Sequence, residues 1–277
     1  MECVRIATVP YVNAAPLMWG LREARDGRFR LVAEPPARIA DLLLGDQVDV
    51  GLLPVIEIQR HDGLEILPGL CVASRRQARS VFLASPRPIE EARRIAVDRS
   101  SRTSAALLRI VLAHRRLTQV SFSECDPDLP AMLRDHDAAL LIGDAALQAD
   151  TVGLRRYDLA EEWFRMTGLP FVFAAWAVRA GTELPEGARP FAASCRDGLA
   201  HLGEIAAREG GRLGLPATTI EEYLRVNIHY ELGAEELRGL DLFFRRAHDL
   251  GLVREPRPVV VRAAEATASV ALPGAAS

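Results

Sequence analysis

The strongest constraint on this chain is the alternation of strand and helix patterns that begins at residue 4. Val4–Val9 is a short apolar run, which Pro10–Tyr11–Val12–Asn13 breaks ahead of a helical pattern in Leu17–Glu23. Phe29–Ala33 reads as a strand, and Pro36 then opens a helix with an apolar face of Ile39, Leu42 and Leu43, closed by Gly45. Val48–Leu53 reads as a buried strand, with Pro54 starting the next helix. This βαβαβα order favours a mostly parallel sheet covered by helices, an α/β fold.

The pattern then resets. Cys71–Ala73 and Ser80–Ala84 read as strands, followed by a proline-containing stretch at 85–88. A second set follows: strand Ile95–Val97, helix Ser104–Arg115, strand Val120–Ser123, helix Leu129–Asp135, strand Ala138–Ile142 and helix Asp144–Ala149. Beyond the aromatic run Phe171–Trp176 the chain is largely helical, with Leu237, Leu240 and Phe244 forming a buried stripe. From Arg254 it is rich in proline and alanine and reads as a frayed tail. Two α/β sets joined by two extended segments predict a two-lobed molecule. Lobe one would hold 1–84 and 176–277, and lobe two, 85–175, would be inserted into it. A ligand belongs between such lobes, against loops at the carboxyl ends of strands, where hinge closure can expel water.

Composition removes several classes of function. The 277 residues carry 34 basic and 37 acidic side chains, a net charge of −3, so no nucleic-acid partner is expected. All the basic residues are arginine, which excludes chemistry that needs a lysine amine, such as a Schiff base or a P-loop. The four cysteines (3, 71, 125, 195) and six histidines are scattered, so no metal site or disulfide framework is expected. No GxGxxG follows a strand, which disfavours a nicotinamide or flavin enzyme. The N-terminus lacks the pattern of a secretory signal. The longest apolar stretch, Leu169–Val178, is about half the ~20 residues of a membrane span. The expected location is the cytoplasm, away from any membrane.

Four loops can carry chemistry. In Asp98-Arg-Ser-Ser-Arg-Thr-Ser104, a hydroxyl-rich turn feeds a helix, which offers Ser100, Ser101, Thr103 and backbone N–H groups to an anion, with Arg102 as a clamp. Ordinary helix capping is an equal reading. Asn13, after the first strand, can donate and accept toward a substrate, or cap the next helix. Ser80 lies where the chain crosses between lobes and has no GxSxG elbow around it. Gly143 and Asp144 form a turn into a helix, where Asp144 either caps or reaches substrate; Glu57 sits early in the helix after Pro54.

These loops resemble the chorismate dehydratase family of the futalosine route to menaquinone. The matching segments are Tyr11-Val-Asn-Ala-Ala-Pro16, Val48-Asp-Val-Gly-Leu-Leu-Pro54, Ser100-Ser-Arg-Thr-Ser104, Leu141-Ile-Gly-Asp-Ala-Ala-Leu147, Thr167-Gly-Leu-Pro-Phe-Val-Phe173 with Trp176, and Tyr223-Leu-Arg-Val-Asn-Ile-His-Tyr-Glu-Leu-Gly233. Their order is more specific than any one of them. The resemblance implies a type II periplasmic-binding-protein-like fold and a hydro-lyase that converts chorismate to 3-enolpyruvylbenzoate and water. Aromatisation would drive the reaction, with no cofactor or metal required. It places Asn13 and Ser80 beside the reacting ring as catalytic residues. Ser100, Ser101, Arg102, Thr103, Gly143 and Asp144 would bind substrate. No residue stands out as a general base, so the ligand's own side-chain carboxylate could take the proton. Val55 stands where many relatives have serine, and Arg75–Arg76–Gln77 precedes Ser80 where relatives have a Gly-Pro turn. Two alternatives remain open. One is the sister enzyme that forms 1,4-dihydroxy-6-naphthoate from cyclic dehypoxanthine futalosine; its first loop reads closer to SPCPNDTF. The other is a cytoplasmic ligand-binding protein without catalysis.

Overall fold

A computed structural model describes residues 3–24 and 26–263. The chain runs β1 (Val4–Thr8), α1 (Ala15–Glu23), β2 (Phe29–Ala33), α2 (Pro36–Leu44), β3 (Val50–Pro54), α3 (Val55–Arg60) and β4 (Leu64–Ser74). It continues through β5 (Val81–Ser85), β6 (Arg94–Asp98), α4 (Thr103–His114), β7 (Ser121–Cys125), α5 (Leu129–Asp135), β8 (Ala138–Ile142), α6 (Gly143–Gln148), β9 (Arg155–Asp158) and α7 (Leu159–Thr167). The remainder is β10 (Phe171–Arg179), α8 (Arg189–Ala200), α9 (Leu202–Leu213), α10 (Ala217–Glu222), β11 (His229–Leu232) and α11 (Ala234–Asp249).

The strands form two sheets, ordered β11-β4-β10-β3-β1-β2 and β7-β6-β8-β5-β9. β1 pairs in parallel with β2 and β3, and β6 with β7 and β8. The sheets are nevertheless mixed rather than mostly parallel. β10 runs antiparallel to β3 and β4, β11 to β4, and β5 to β8 and β9. Among the reversed strands, β5 and β10 are those in which the chain enters a lobe and β11 comes later in the C-terminal segment; all three lie outside the βαβ repeats that favour parallel pairing. Strand pairing also puts β5 wholly in the second sheet and β10 wholly in the first. The expected boundaries at 84/85 and 175/176 therefore cut through these two strands, and the chain crosses between sheets at 75–80 and 168–170.

Alternation along β5 and β8 serves two cores. Phe82, Ala84, Ala139 and Leu141 face a small cluster with Leu129 and Met132 from α5. Leu83, Leu140 and Ile95 face the main core, which runs on into the first lobe. Trp163 of α7 helps join the lobes, packing edge-on against Phe171 and Phe243 while its indole N–H donates to the Pro170 carbonyl at 3.1 Å. The C-terminal stripe includes Leu240 and Phe244 as expected and gains Phe243, while Leu237 is only partly buried.

The tail from Arg254 is docked, not frayed, as far as it is described. Ile66 N–H donates to the Val260 carbonyl, and Arg262 N–H returns to the Ile66 carbonyl, each at 2.9 Å. The Arg257 guanidinium donates to the carbonyls of Ile58, Gln59 and His61. Two arginines thus supply what the poor hydrophobic content could not. Residues 264–277 of the expected tail lie outside the described residues.

Close helix packing fixes the entrance to the first loop. The Ser194 hydroxyl of α8 donates to the Leu17 carbonyl at 2.8 Å and accepts the Leu21 N–H at 3.1 Å, inserting itself into the ladder of α1. A Cβ on Gly198 would lie 2.2 Å from the Pro16 carbonyl oxygen. Gly198→Ala must therefore push α8 from α1, with an expected loss of about 2 kcal/mol or more, read as a lower urea midpoint at constant m-value. An unchanged midpoint would show that the helices tolerate the separation.

Candidate functional site

The two sheets leave a cleft between their loops, with an empty volume of about 610 Å³. Its walls are largely apolar, with Leu52, Val72, Phe173 and Ile228 among them, and polar groups enter at a few points. Asn13, Ser80, Ser100, Arg102, Thr103 and Gly143 all line it. The sequence expectation thus brings together six of its eight site residues, drawn from four separate loops.

Asn13 sits in a one-turn 3-10 segment, Val12–Ala14, ahead of α1. No side chain caps α1, so the capping alternative for Asn13 does not hold. Its carbonyl accepts the Tyr230 hydroxyl at 3.0 Å. Tyr223 donates to Ser80 Oγ at 2.7 Å. Burial raises the Tyr223 phenol far above its usual range, against the opposing pull of this hydrogen bond.

Ser80 is presented by a strained turn. Arg79 before it has φ of 59°, a left-handed conformation that costs a non-glycine residue about 1 kcal/mol or more. The turn is tied at every polar atom. The Asp158 carboxylate accepts N–H from Ala78 and Arg79 and also caps α7 by accepting from Ala160 and Glu161. The Arg156 guanidinium donates to the Arg79 carbonyl, Asn227 donates to the Gln77 carbonyl at 3.0 Å, and Gly143 N–H donates to the Ser80 carbonyl at 2.8 Å. Tertiary hydrogen bonds here do what a Gly-Pro turn would do through backbone preference. Burial pushes the Asp158 carboxyl above its usual range despite its donors. Asp158→Ala strands four amides and is expected to cost about 2–3 kcal/mol in urea unfolding. A loss under ~0.5 kcal/mol would mean that water or a neighbour replaces the carboxylate.

At the start of α4, the hydroxyls are not caps. Arg102 occupies the N-cap position and no side chain caps the helix, so its first-turn amides remain available at the cleft. Ser100 gives both its N–H and its hydroxyl proton to Asp98 Oδ1, at 2.9 and 2.7 Å, and accepts the Tyr11 hydroxyl at 3.0 Å. Burial raises the Asp98 carboxyl above its usual range, against these bonds. Thr103 Oγ1 accepts the Ile56 N–H at 3.3 Å from across the cleft. Among the described residues, Ser101 Oγ is buried without a partner, and the Arg102 side chain makes no hydrogen bond or ion pair, its carbonyl accepting the Ala106 N–H. Ser101 lies behind the lining residues and does not itself line the cleft.

Asp144 is the other displaced expectation. It neither caps α6 nor lines the cleft. Its carboxylate accepts Val12 N–H at 2.9 Å and pairs with Arg212 at 2.6 Å, joining lobe two to lobe one behind Tyr11. Glu57 also lies off the cleft, paired with Arg60 at 2.8 Å and within 3.2 Å of His61. Gly143 has φ of 61°, and a Cβ there would sit 3.0 Å from the Tyr11 ring, so glycine is needed twice over. Among the described residues that line the cleft there is no carboxylate and no imidazole, and Arg102 is the one cation. No group of His, Cys, Asp or Glu among the described residues could hold a metal ion, and no described helix is long and apolar enough to cross a membrane. Sequence reasoning gave no role to Tyr223 and Tyr230, although both lie in a quoted segment.

The sequence matches the protein family described as menaquinone biosynthesis over residues 4–249. It is 32% identical over 265 residues to a protein of Thermus thermophilus named chorismate dehydratase, spanning 89% of this chain and 94% of that relative. A solved structure from Archaeoglobus fulgidus superimposes with a TM-score of 0.73 at 19% identity, covering 90% and 98% of the two chains. The periplasmic aliphatic sulphonate binding protein SsuA of Escherichia coli gives 0.67 at 16% identity, covering 100% and 98%. The fold is that of the periplasmic binding proteins, as the two-lobed resemblance implied.

Proposed function

Since the chain belongs to the menaquinone-biosynthesis family, we propose that it is a hydro-lyase that converts chorismate to 3-enolpyruvylbenzoate and water on the futalosine route. The observation that carries this reading is the cleft's polarity. One arginine without a protein partner and an uncapped helix N-terminus face apolar walls, with no acidic side chain among the described lining residues. Such a site suits a compact carboxylate carried on an unsaturated carbon ring, and chorismate, with one carboxylate on its cyclohexadiene ring and one on its enolpyruvyl side chain, has that character.

In this mechanism Arg102 and the first amides of α4 hold the ring carboxylate. Ser80 and Asn13 then stand beside the ring. The C3 proton is removed, the C3–H electron pair becomes ring π density, and the C4–O bond breaks to release the hydroxyl. That hydroxyl takes up a proton and leaves as water, and the ring becomes aromatic. With no carboxylate or imidazole among the described lining residues, the substrate's enolpyruvyl carboxylate is the base in our reading.

Incubating the purified protein with chorismate and separating the products by chromatography tests the proposal. Formation of 3-enolpyruvylbenzoate is the expected result. Tight chorismate binding without turnover would instead make the protein a binder. Turnover of cyclic dehypoxanthine futalosine in place of chorismate would make it the sister enzyme.

A further inference from the structure

Ser80 has a buried partner, the phenol of Tyr223. Tyr223 opens a five-residue π turn, Tyr223–Asn227, between α10 and β11. Such widened turns recur at functional sites. Its side chain is fully buried and reaches the serine from 143 residues away in sequence.

A phenol is a stronger donor and a weaker acceptor than an alkyl hydroxyl, which sets the direction of the hydrogen bond between Tyr223 and Ser80. A phenol has one proton, and here it is donated to Ser80 Oγ at 2.7 Å. Ser80 Oγ therefore accepts from Tyr223, and its own proton points elsewhere. Among the described residues no acceptor takes that proton, although the serine is almost wholly buried and lines the cleft. Burial keeps the phenol protonated and so keeps the order of donors fixed across the neutral range.

We infer that Tyr223 is a positioning residue that sets Ser80 as a hydrogen-bond donor toward the ligand in the cleft. The inference rests on the proposed dehydration for its chemical meaning. A serine held as a donor suits the departing hydroxyl, whose oxygen gains charge as the C4–O bond breaks, and it is unsuited to act as a base or nucleophile. Aligned donors also polarise one another, so the phenol and serine form one chain directed at the ligand.

Two measurements test this, and they fail separately from the proposed function. Neutron diffraction on the wild-type protein locates the deuterons. The expected order is a deuteron from Tyr223 on Ser80 and the Ser80 deuteron toward the cleft. A Ser80 deuteron on Tyr223 overturns the inference, whatever the protein's activity. In kinetics, Tyr223→Phe keeps the ring in its place and removes the relay. With chorismate, kcat is expected to fall about tenfold while KM holds. An unchanged kcat, or a rise in KM alone, contradicts the positioning role. A wild-type protein that shows the expected deuterons but does not turn over chorismate contradicts the proposed function and leaves the donor order standing.

Discussion

Ser80→Ala is expected to lower kcat for chorismate by about 10²–10³-fold, the usual cost of removing one oriented donor from a reacting oxygen. The reason lies in the turn more than in the serine. Arg79 holds a left-handed backbone, Asp158 accepts two amides of the turn, and Tyr223 fills the acceptor side of the hydroxyl. The structure thus commits several polar groups to one hydroxyl at the cleft wall. Removing it leaves the Tyr223 phenol without its acceptor and costs some stability, about 1 kcal/mol. That loss lowers the melting temperature of the variant but cannot account for the kinetic effect. Steady-state assays at saturating chorismate, with circular dichroism as a folding check, decide the matter. A folded Ser80→Ala protein with wild-type kcat would remove Ser80 from the reaction.

Arg102→Ala should act on binding instead. Loss of a charge-assisted hydrogen bond to a carboxylate is worth about 1.5–3 kcal/mol, or roughly 10–10²-fold in affinity. The effect should appear mainly in KM and in the dissociation constant of 3-enolpyruvylbenzoate, measured by calorimetry. Arg102→Lys should recover only part of it, since an ammonium cannot match a planar carboxylate with two parallel donors. Because Arg102 has no protein partner to lose among the described residues, its removal should leave folding nearly untouched. Equal ligand affinity in wild type and Arg102→Ala would mean that the anion sits elsewhere.

Much of the site was legible because its parts are local. Asn13, Ser100–Ser104 and Gly143 each follow a strand and precede a helix, and such loops converge at a cleft by the rules of α/β folds. What stayed hidden depends on distance. Nothing around Asp158 marks it as the anchor of the turn before Ser80, since its partners Ala78 and Arg79 come from the other end of lobe two. Tyr223 and Tyr230 reach Ser80 and Asn13 from a C-terminal segment whose local pattern is only helix and strand.

Asp144 shows the opposite error. A carboxylate at a helix start reads as a cap, but here a neighbouring lobe supplied better donors, Val12 N–H and Arg212. The docked residues 254–263 were read from composition alone, and composition does not show that arginine can replace apolar burial with hydrogen bonds to carbonyls.

A crystal structure with 3-enolpyruvylbenzoate bound tests the central claim most directly. The ring carboxylate is predicted against Arg102 and the first amides of α4, with the ring edge between Ser80 and Asn13. An aromatic ring bound outside this cleft, or turned so that Ser80 and Asn13 face neither carbon of the former C3–C4 bond, would contradict the account.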